Sequence, residues 1–426
     1  MDSIASNKTF IGYLIFWIGQ LFSILGSSII HFVIVWWITV ITGNAVLLGV
    51  ANFLGMLPLI VLSPIFGVFI DKWNRKIIIA IADFFQALIT FWIIMLFFLG
   101  IEAVIPIILI NSLRGVCQAF HFPTVKAIIP IMVPKDKLSR MNAIDYLFNG
   151  IVHIAGPVIA AILLAFIPII IILWIDILTF AIAIIPLLIT KIPLIIQDKV
   201  EKKQFSFLKD FKLGLDGLKQ VPGLVILLVL ISVINFLGQP FGTLLPLFVS
   251  SNHFGDASDL AVVMVLMQIG MIIGAVIASS KKDWKNRVMV ISSCISISVI
   301  GYVISALSPT GNFILIGIGG MIRAGMVPLI NTNFLTIVQL NVPPEKQGKV
   351  MSIVVSLAWA VIPLGSLVSG PIAESIGIVP LYLTFAFLEI LTVITILLAT
   401  NVRKVRYETI YDPKINDKNI ELEPNE

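Results

Sequence analysis

At 426 residues, with 59% of them hydrophobic and only 12% charged, the chain carries more apolar side chains than a water-soluble domain of its length can bury. That excludes a soluble globule and puts the chain in a bilayer. The net charge of +5 is modest, and its distribution ties it to membrane topology rather than to nucleic acid.

Apolar runs of about 20 residues satisfy their backbone groups internally only as helices, since barrel strands would be shorter and would alternate with polar residues. The expected fold is an all-α polytopic membrane protein of twelve transmembrane helices. In chain order the spans are 10–32, 46–70, 77–99, 103–130, 141–165, 167–190, 223–248, 259–280, 288–307, 312–338, 350–373 and 378–400. The first run is too long for the apolar core of a cleavable signal peptide and no small-residue cleavage site follows it, so it is read as span 1. An even count puts both termini on one side of the membrane.

Lys and Arg identify that side. The N-terminal tail, the loops after even-numbered spans and the C-terminal tail hold 25 of the 28 basic residues, and the loops after odd-numbered spans hold none. Both termini are therefore expected in the cytoplasm of a multi-pass protein of the cell membrane. The other three bases, Arg114, Lys126 and Arg323, lie inside spans. Lys126 is near enough to the end of span 4 to snorkel and is assigned no function. Cys117 and Cys294 also lie within spans and read as small apolar packing groups rather than a disulfide.

The longest hydrophilic interruption, 191–222, carries seven lysines and divides the spans six and six. The expected organisation is a six-helix half over 1–190, a cytoplasmic linker over 191–222, a second six-helix half over 223–400 and a short, charged, disordered tail over 401–426. Within the linker, apolar residues from Phe205 to Leu218 fall at steps of three and four, which predicts an amphipathic helix on the membrane surface. The halves read as a parallel repeat. Gly19-Gln20 recurs 219 residues on as Gly238-Gln239, and Trp73 matches Trp284 at 211. Arg114 with Val133-Pro134 matches Arg323 with Val342-Pro343 at 209.

Span 2 runs into Gly67-Val-Phe-Ile-Asp71-Lys72-Trp73-Asn74-Arg75-Lys76, which resembles the signature Gly-x-x-x-Asp-Arg-x-Gly-Arg-Arg between helices 2 and 3 of major facilitator superfamily transporters. Gly67, Asp71, Arg75 and Lys76 match, Lys72 replaces Arg, and Asn74 stands where the family prefers Gly; Asn tolerates the left-handed backbone of a tight loop. Leu113-Arg114-Gly115-x-x-x-Ala119-Phe120-x-Phe122-Pro123, with Val133-Pro134, Leu138 and Asn142, resembles the macrolide-efflux and enterobactin-exporter branch of the drug:proton antiporters. So do Phe207-Leu208-Lys-Asp210-x-x-x-Gly214-Leu215 and Val342-Pro-Pro-Glu345-x-x-Gly348-Lys349-Val350, with Pro363-Leu-Gly365 and Gly370-Pro371. Gly156-Pro157 is similar to the core of the helix 5 antiporter motif, although Ala160 and Ala161 replace its following glycines.

The resemblance implies a conformational latch at Gly67, Asp71, Arg75 and Lys76, with Asp71 contacting the beginning of helix 11, expected between Gly348 and Ser352. Topology alone accounts for the bases of that loop but not for its acid. The resemblance also implies proton coupling at Arg114. Arg114 and Arg323 sit near mid-membrane, where a charge at a helix centre costs about 2.5–3.5 kcal/mol, so each faces a wet cavity or an acid. Asp176 and Glu389 fall near the middle of spans 6 and 12. These four are proton-coupling candidates, with buried ion pairs as the competing reading. Asp83 and Asp145 lie near the cytoplasmic ends of their spans and take an interfacial or loop-bonding role. His31 and His153 are read as polar groups satisfied by neighbours, or as titrating sites.

The fold that the resemblance implies lines its cavity mainly with helices 1, 4, 7 and 10, helped by 2, 5, 8 and 11. Gln20, Asn149, Asn235, Phe236, Gln239, Gln268, Asn331 and Trp359 are the substrate-cavity candidates, with interhelical hydrogen bonding as the alternative. The sequence holds no Walker loop, dinucleotide fingerprint or His-Glu-x-x-His, so no enzyme activity, cofactor or metal is expected. The expected function is a monomeric secondary exporter of hydrophobic or amphipathic small molecules, of drug, macrolide or siderophore type, in exchange for protons. A lipid or lysolipid flippase and a transport-dead sensor or scaffold are the competing readings.

Overall fold

The computed structural model describes residues 6–70, 73–193, 207–281, 284–405 and 407, and among these the long elements are all helices. They are α1 (Asn7–Thr42), α2 (Ala45–Ile70), α3 (Arg75–Phe98), α4 (Val104–Met132), α5 (Lys135–Phe166), α6 (Ile169–Ile189), α7 (Phe207–Lys219), α8 (Leu224–Leu247), α9 (Ala257–Ser280), α10 (Arg287–Ala306), α11 (Phe313–Asn341), α12 (Pro344–Ile376) and α13 (Ile378–Ala399). Twelve of them, all but α7, are long and apolar enough to cross a membrane. Successive crossings bring both chain ends to one end of the bundle, called here the basic end after the lysines and arginines of its loops.

Local chemistry sets the helix limits. Ser6 and Thr9 form a capping box at the start of α1, and Gly43, at φ 55°, ends it. No breaker intervenes between the predicted end near His31 and Gly43, so α1 has 36 residues and is about 54 Å long at 1.5 Å per residue. Asn74 adopts an extended backbone (φ −67°, ψ 109°), not a left-handed one, and its side chain caps α3 by accepting from the Lys76 N–H. Asn286 caps α10 from a left-handed backbone (φ 51°, ψ 68°), its side chain accepting from the Met289 N–H. Helix α12 starts at Pro344, earlier than the expected Gly348–Ser352. Proline suits a first helical turn, and the polar run after it continues the helix outside the apolar window that hydropathy detects.

The two sets of six long helices each form a bundle. In the first, α1 packs on α5 and α6, α2 on α4, and α3 on α4 and α6; in the second, α8 packs on α12 and α13, α9 on α11, and α10 on α11 and α13. Contacts between them run chiefly through α2 with α12 and α5 with α9. The apolar core follows this division. One cluster, including Ile30, Ile34, Leu48, Ile93, Phe241, Phe248, Tyr302 and Tyr382, draws on both bundles toward the far end. Toward the basic end it gives way to two larger separate clusters, beside a small one of Ala278, Cys294 and Leu329 that also belongs to the second bundle. One, around Tyr13, Phe16, Ile79 and Met132, belongs wholly to the first bundle, and the other, around Leu224, Ile295, Ile337 and Val350, wholly to the second. The bundles are thus joined at the far end and have their own cores at the basic end.

Helix α7 is the amphipathic helix predicted in the linker. Leu215 and Leu218 join the second bundle's basic-end cluster, and Gly217 lies against Val350 of α12, so its apolar face is spent on protein rather than lipid. The start of the tail is also packed, contrary to the expected disorder. Val402 and Tyr407 are buried, the Tyr407 hydroxyl donates to the Pro222 carbonyl at 2.6 Å, and burial pushes that hydroxyl up to about 12. Two apolar side chains are enough to anchor residues whose neighbours are charged.

At the far end the joint between α2 and α12 is made by glycines. A Cβ built on Gly49 would lie 2.6 Å from the Ser366 carbonyl oxygen, and one on Gly370 would lie 2.6 Å from that of Ala45. Backbone cannot yield as a flexible side chain does. Gly370→Ala is therefore expected to lower stability by about 1–3 kcal/mol, read as a lower unfolding midpoint in detergent. Gly348→Ala, in the same helix where a Cβ meets nothing within 4 Å, is the control and leaves the midpoint unchanged or raised.

Candidate functional site

Helix periodicity puts Asp83, Gln86 and Thr90 on one face of α3, and Arg114, Gln118 and His121 on one face of α4. Because α3 and α4 run antiparallel and pack together, these six residues meet as three polar rungs inside the first bundle.

The rung nearest mid-membrane is a charged knot. Arg114 Nη1 lies 2.6 Å from Asp176 Oδ2 of α6, and its Nη2 reaches Asp176 Oδ1 at 3.3 Å and Ser27 Oγ of α1 at 3.1 Å. Thr90 donates to Asp176 Oδ2 at 2.6 Å and accepts from Arg114. In the middle rung Gln118 Nε2 donates to Gln86 Oε1 at 2.8 Å. In the rung nearest the basic end His121 Nε2 is 3.1 Å from Asp83 Oδ1 and 2.9 Å from Gln20 Oε1, and Gln20 Nε2 is 3.5 Å from Asp83 Oδ2. Closer still to the basic end, Lys126 pairs with Asp145 at 2.6 Å, and Trp17 Nε1 donates to Asp145 Oδ1 at 2.8 Å. Lys126 is therefore an ion-pair partner rather than a merely snorkelling base, and Asp145 is buried.

The second bundle repeats the charged knot with different surroundings. Arg323 of α11 meets Glu389 of α13 through two contacts, Nη2 to Oε1 at 2.8 Å and Nη1 to Oε2 at 3.3 Å, and donates to Ser298 Oγ at 3.2 Å. Its guanidinium lies 4.2 Å from the Tyr302 ring centroid and 5.8 Å from that of Phe241. Glu389 is completely buried. Desolvating two opposite charges is tolerable only when they meet in good geometry with further hydrogen bonds, and both knots satisfy this. All four mid-membrane charges singled out from the sequence are thus paired, Arg114 with Asp176 and Arg323 with Glu389.

Between the bundles lies a cavity of about 300 Å³. The first bundle lines it with Ser28, His31, Phe32 and Val35 of α1, Asn52 of α2, and His153 and Pro157 of α5. The second supplies Gly242, Leu245 and Pro246 of α8, and Leu260, Met264, Met267 and Gln268 of α9. The wall is mostly apolar with a few polar groups, as sites for small organic molecules generally are, and two methionines make part of it adaptable. No carboxylate is among its lining residues. Gly156 has no room for a Cβ because Ser28 occupies it. The Gly156-Pro157 pair therefore sets α5 against α1 and turns its proline to the cavity.

Of the eight cavity candidates only Gln268 is among these lining residues. Gln20 is turned into the first bundle toward His121. Asn149 donates to Asp145, both to its carbonyl at 2.7 Å and to Oδ1 at 3.1 Å. Asn235 ties α8 to α12 through the Ala358 carbonyl at 2.9 Å. Phe236 and Gln239 lie against Gly365 of α12, while Asn331 and Trp359 are exposed. Of the latch residues, Gly67 is in the last turn of α2 and Arg75 opens α3. Lys76 Nζ donates to the Leu188 and Thr190 carbonyls at 2.5 and 3.0 Å, closing the C-terminal end of α6. Asp71 and Lys72 lie outside the described residues.

Several residues went unnoticed in the sequence. His121 falls at an unspecified place in the helix 4 motif, and only its spacing of seven from Arg114 hinted at a shared face. Ser28, one of two adjacent serines, and Asn52, alone in an apolar run, carry no sequence signal. Glu374 of α12 accepts the Ala45 N–H at the start of α2, at 2.8 Å, binding the bundles together at the far end. A carboxylate at a helix N-terminus is stabilised by the peptide dipoles there.

The chain matches the family model of the Major Facilitator Superfamily over residues 16–366. It is 28% identical to macrolide efflux protein A of Streptococcus pyogenes over 390 residues, covering 91% of this chain and 96% of that protein. It is 26% identical to the staphyloferrin A transporter of Staphylococcus aureus over 400 residues, covering 91% and 92%. Among solved structures, a bacterial homologue of the human lysosomal transporter Spinster, inward-facing and unoccupied, superposes with a TM-score of 0.65 at 14% identity, covering 96% of this chain and all of that one. Two bundles of six spans around a shared cavity, with a family match over most of their length, make this chain a member of the Major Facilitator Superfamily, a multi-pass transporter of the cell membrane and not an enzyme.

Proposed function

We propose that the chain exports hydrophobic or amphipathic small molecules, of the drug, macrolide or siderophore type, by alternating access and in exchange for protons. The carrying observation is the cavity itself, whose wall is shared between the two bundles, so that a rocking of one against the other opens it to alternate sides. The relatives named for macrolide efflux and staphyloferrin A transport support this substrate range. With the basic end in the cytoplasm, a joined core at the far end and separate cores at the basic end correspond to a state closed to the outside.

In the opposite state the bundles close at the basic end. The latch proposed for Gly67, Asp71, Arg75 and Lys76 acts there, with the Asp71 carboxylate on the N-terminus of α12. The acid on a helix start at the far end, Glu374 on Ala45, shows the same chemistry in use at the other end of the same helix pair. Both bundles complete the cavity within one chain, so a monomer is the working unit. Substrate, protons and lipid are its partners.

The test is flux in proteoliposomes with an imposed pH gradient, offering macrolides, siderophores, cationic dyes and lysolipids. Uptake of any of the first three against the proton gradient supports the reading. Lysolipid flipping that ignores the gradient, with nothing else moved, replaces it with a flippase.

A further inference from the structure

Arg114 and Arg323 are among the proton-coupling candidates of the sequence, yet a guanidinium remains charged throughout the physiological range and does not itself carry the proton. Three acid–base contacts are described inside the first bundle: Arg114 with Asp176, Lys126 with Asp145, and His121 with Asp83. Only in the last is the base an imidazole, the side-chain type that carries and releases a proton most readily in proteins. Both members are buried, Asp83 at 2% and His121 at 7% exposure.

The hydrogen bonding around this pair is incomplete. His121 Nε2 stands between two acceptors, Gln20 Oε1 at 2.9 Å and Asp83 Oδ1 at 3.1 Å, and a ring nitrogen has one hydrogen to give. Asp83 Oδ1 has no hydrogen-bond partner of its own among the described residues, an unusual state for a buried carboxylate. The groups that face the pair are few. α4 contributes Cys117 and, about two turns away, Arg114; Asp176 of α6 already holds Arg114, Asp145 of α5 holds Lys126, and α1 contributes the neutral Gln20. Each neighbouring ion pair is neutral overall, so the charge of the Asp83 and His121 pair is free to change by one proton.

The second bundle shows what the fold requires at this place. Aligning the caps Asn74 and Asn286, 212 residues apart, puts Ile295 at the position of Asp83. Aligning the helix ends Val133 and Val342, 209 apart, puts Ile330 at the position of His121. Ile295 is completely buried in an apolar cluster against which Ile330 packs. The arginine knot is present in both bundles, whereas the polar rung is present in one, where the other manages with two isoleucines. Packing does not call for a buried acid and imidazole there.

We propose that Asp83 and His121, positioned by Gln20, form the proton-carrying site of the transport cycle. With the proton absent the site is a carboxylate beside a neutral imidazole, at net −1. Uptake of one proton completes the second ring N–H and makes the imidazolium, whose positive charge then stands 3.1 Å from Asp83 Oδ1 at Nε2, so that the pair is at net zero. Release toward the basic end restores the imidazole and the carboxylate, and only an N–H bond is made and broken. This rests on the proton exchange of the proposed function.

The double variant Asp83→Ile with His121→Ile copies the second bundle into the first. It is compared with wild type in proteoliposomes, using radiolabelled erythromycin as probe, for pH-gradient-driven uptake and for gradient-free exchange. The ratio of driven uptake to exchange is expected to fall at least tenfold, and an unchanged ratio overturns the proposal. A second readout needs neither transport nor the double variant: ¹⁵N-histidine NMR of the whole protein in detergent. One histidine signal, absent in His121→Gln, titrates between pH 5 and 9 in wild type, and its midpoint falls in Asp83→Asn. A His121 signal that does not titrate, or that ignores Asp83→Asn, also overturns it. Wild type that moves erythromycin without regard to protons sinks the exchange reading instead, and the NMR result then decides whether the site binds a proton at all.

Discussion

Arg323→Gln and Glu389→Gln are each expected to destabilise the protein by about 3–5 kcal/mol, because each leaves a desolvated charge without its partner. Glu389 has no solvent exposure and Arg323 is enclosed by Tyr302 and Phe241, so water cannot replace the missing group. Arg323→Met combined with Glu389→Met removes both charges and substitutes apolar volume, which buried pairs generally tolerate. The double variant should recover most of the lost unfolding midpoint in detergent. If it is as unstable as either single variant, the hydrogen bonds to Ser298 and the ring contacts hold the site rather than charge pairing. The recovered variant also tests the role assigned to these two charges from the sequence. Normal proton-driven transport makes the knot a brace for the second bundle, and stable protein without coupling returns it to the mechanism.

Much of the fold is legible in the sequence because a bilayer leaves few options. Span number and type follow from apolar run length, and the offset of 209 between Arg114 and Arg323 already marks equivalent places in two bundles. Their partners are not legible. Asp176 and Glu389 lie 62 and 66 residues away on other helices, and only packing selects them from the acids available. Hydropathy sees a span end near Asp83 and so points to the interface. In the structure Asp83 sits two turns into α3, on the face turned to α4. Hydropathy reports distance along the membrane normal and carries no information about whether a side chain faces lipid, a neighbouring helix or a cavity. By the same limit, sequence alone does not separate Gln20, Asn149 and Asn235 from Gln268. All are polar residues on cavity-forming helices, and a rotation of about 100° per residue decides which of them reaches the cavity.

Gly242→Phe is expected to cut transport at least about tenfold, equivalent to about 1.4 kcal/mol of lost substrate binding, without unfolding the protein. Gly242 lines the cavity, and a Cβ added to it meets nothing within 4 Å. The new side chain therefore displaces no neighbour and has only the cavity to enter. A benzene ring fits an apolar cavity of roughly 150 Å³, so a phenyl group takes up about half of the 300 Å³ available. Replacing glycine within a helix also removes backbone freedom from the unfolded chain, so the unfolding midpoint should hold or rise. Gly242→Ala gives the control, with the same backbone gain and little lost volume, and should transport nearly as wild type. The loss should be graded by size, severe for a macrolide and milder for a small cationic dye, since the unfilled half of the cavity still admits the smaller molecule. A phenylalanine variant that is stable and moves both at wild-type rates would mean that substrate passes elsewhere. In that case the polar side chains on this wall, Ser28, His31, Asn52, His153 and Gln268, lose their claim to substrate contact together with the cavity.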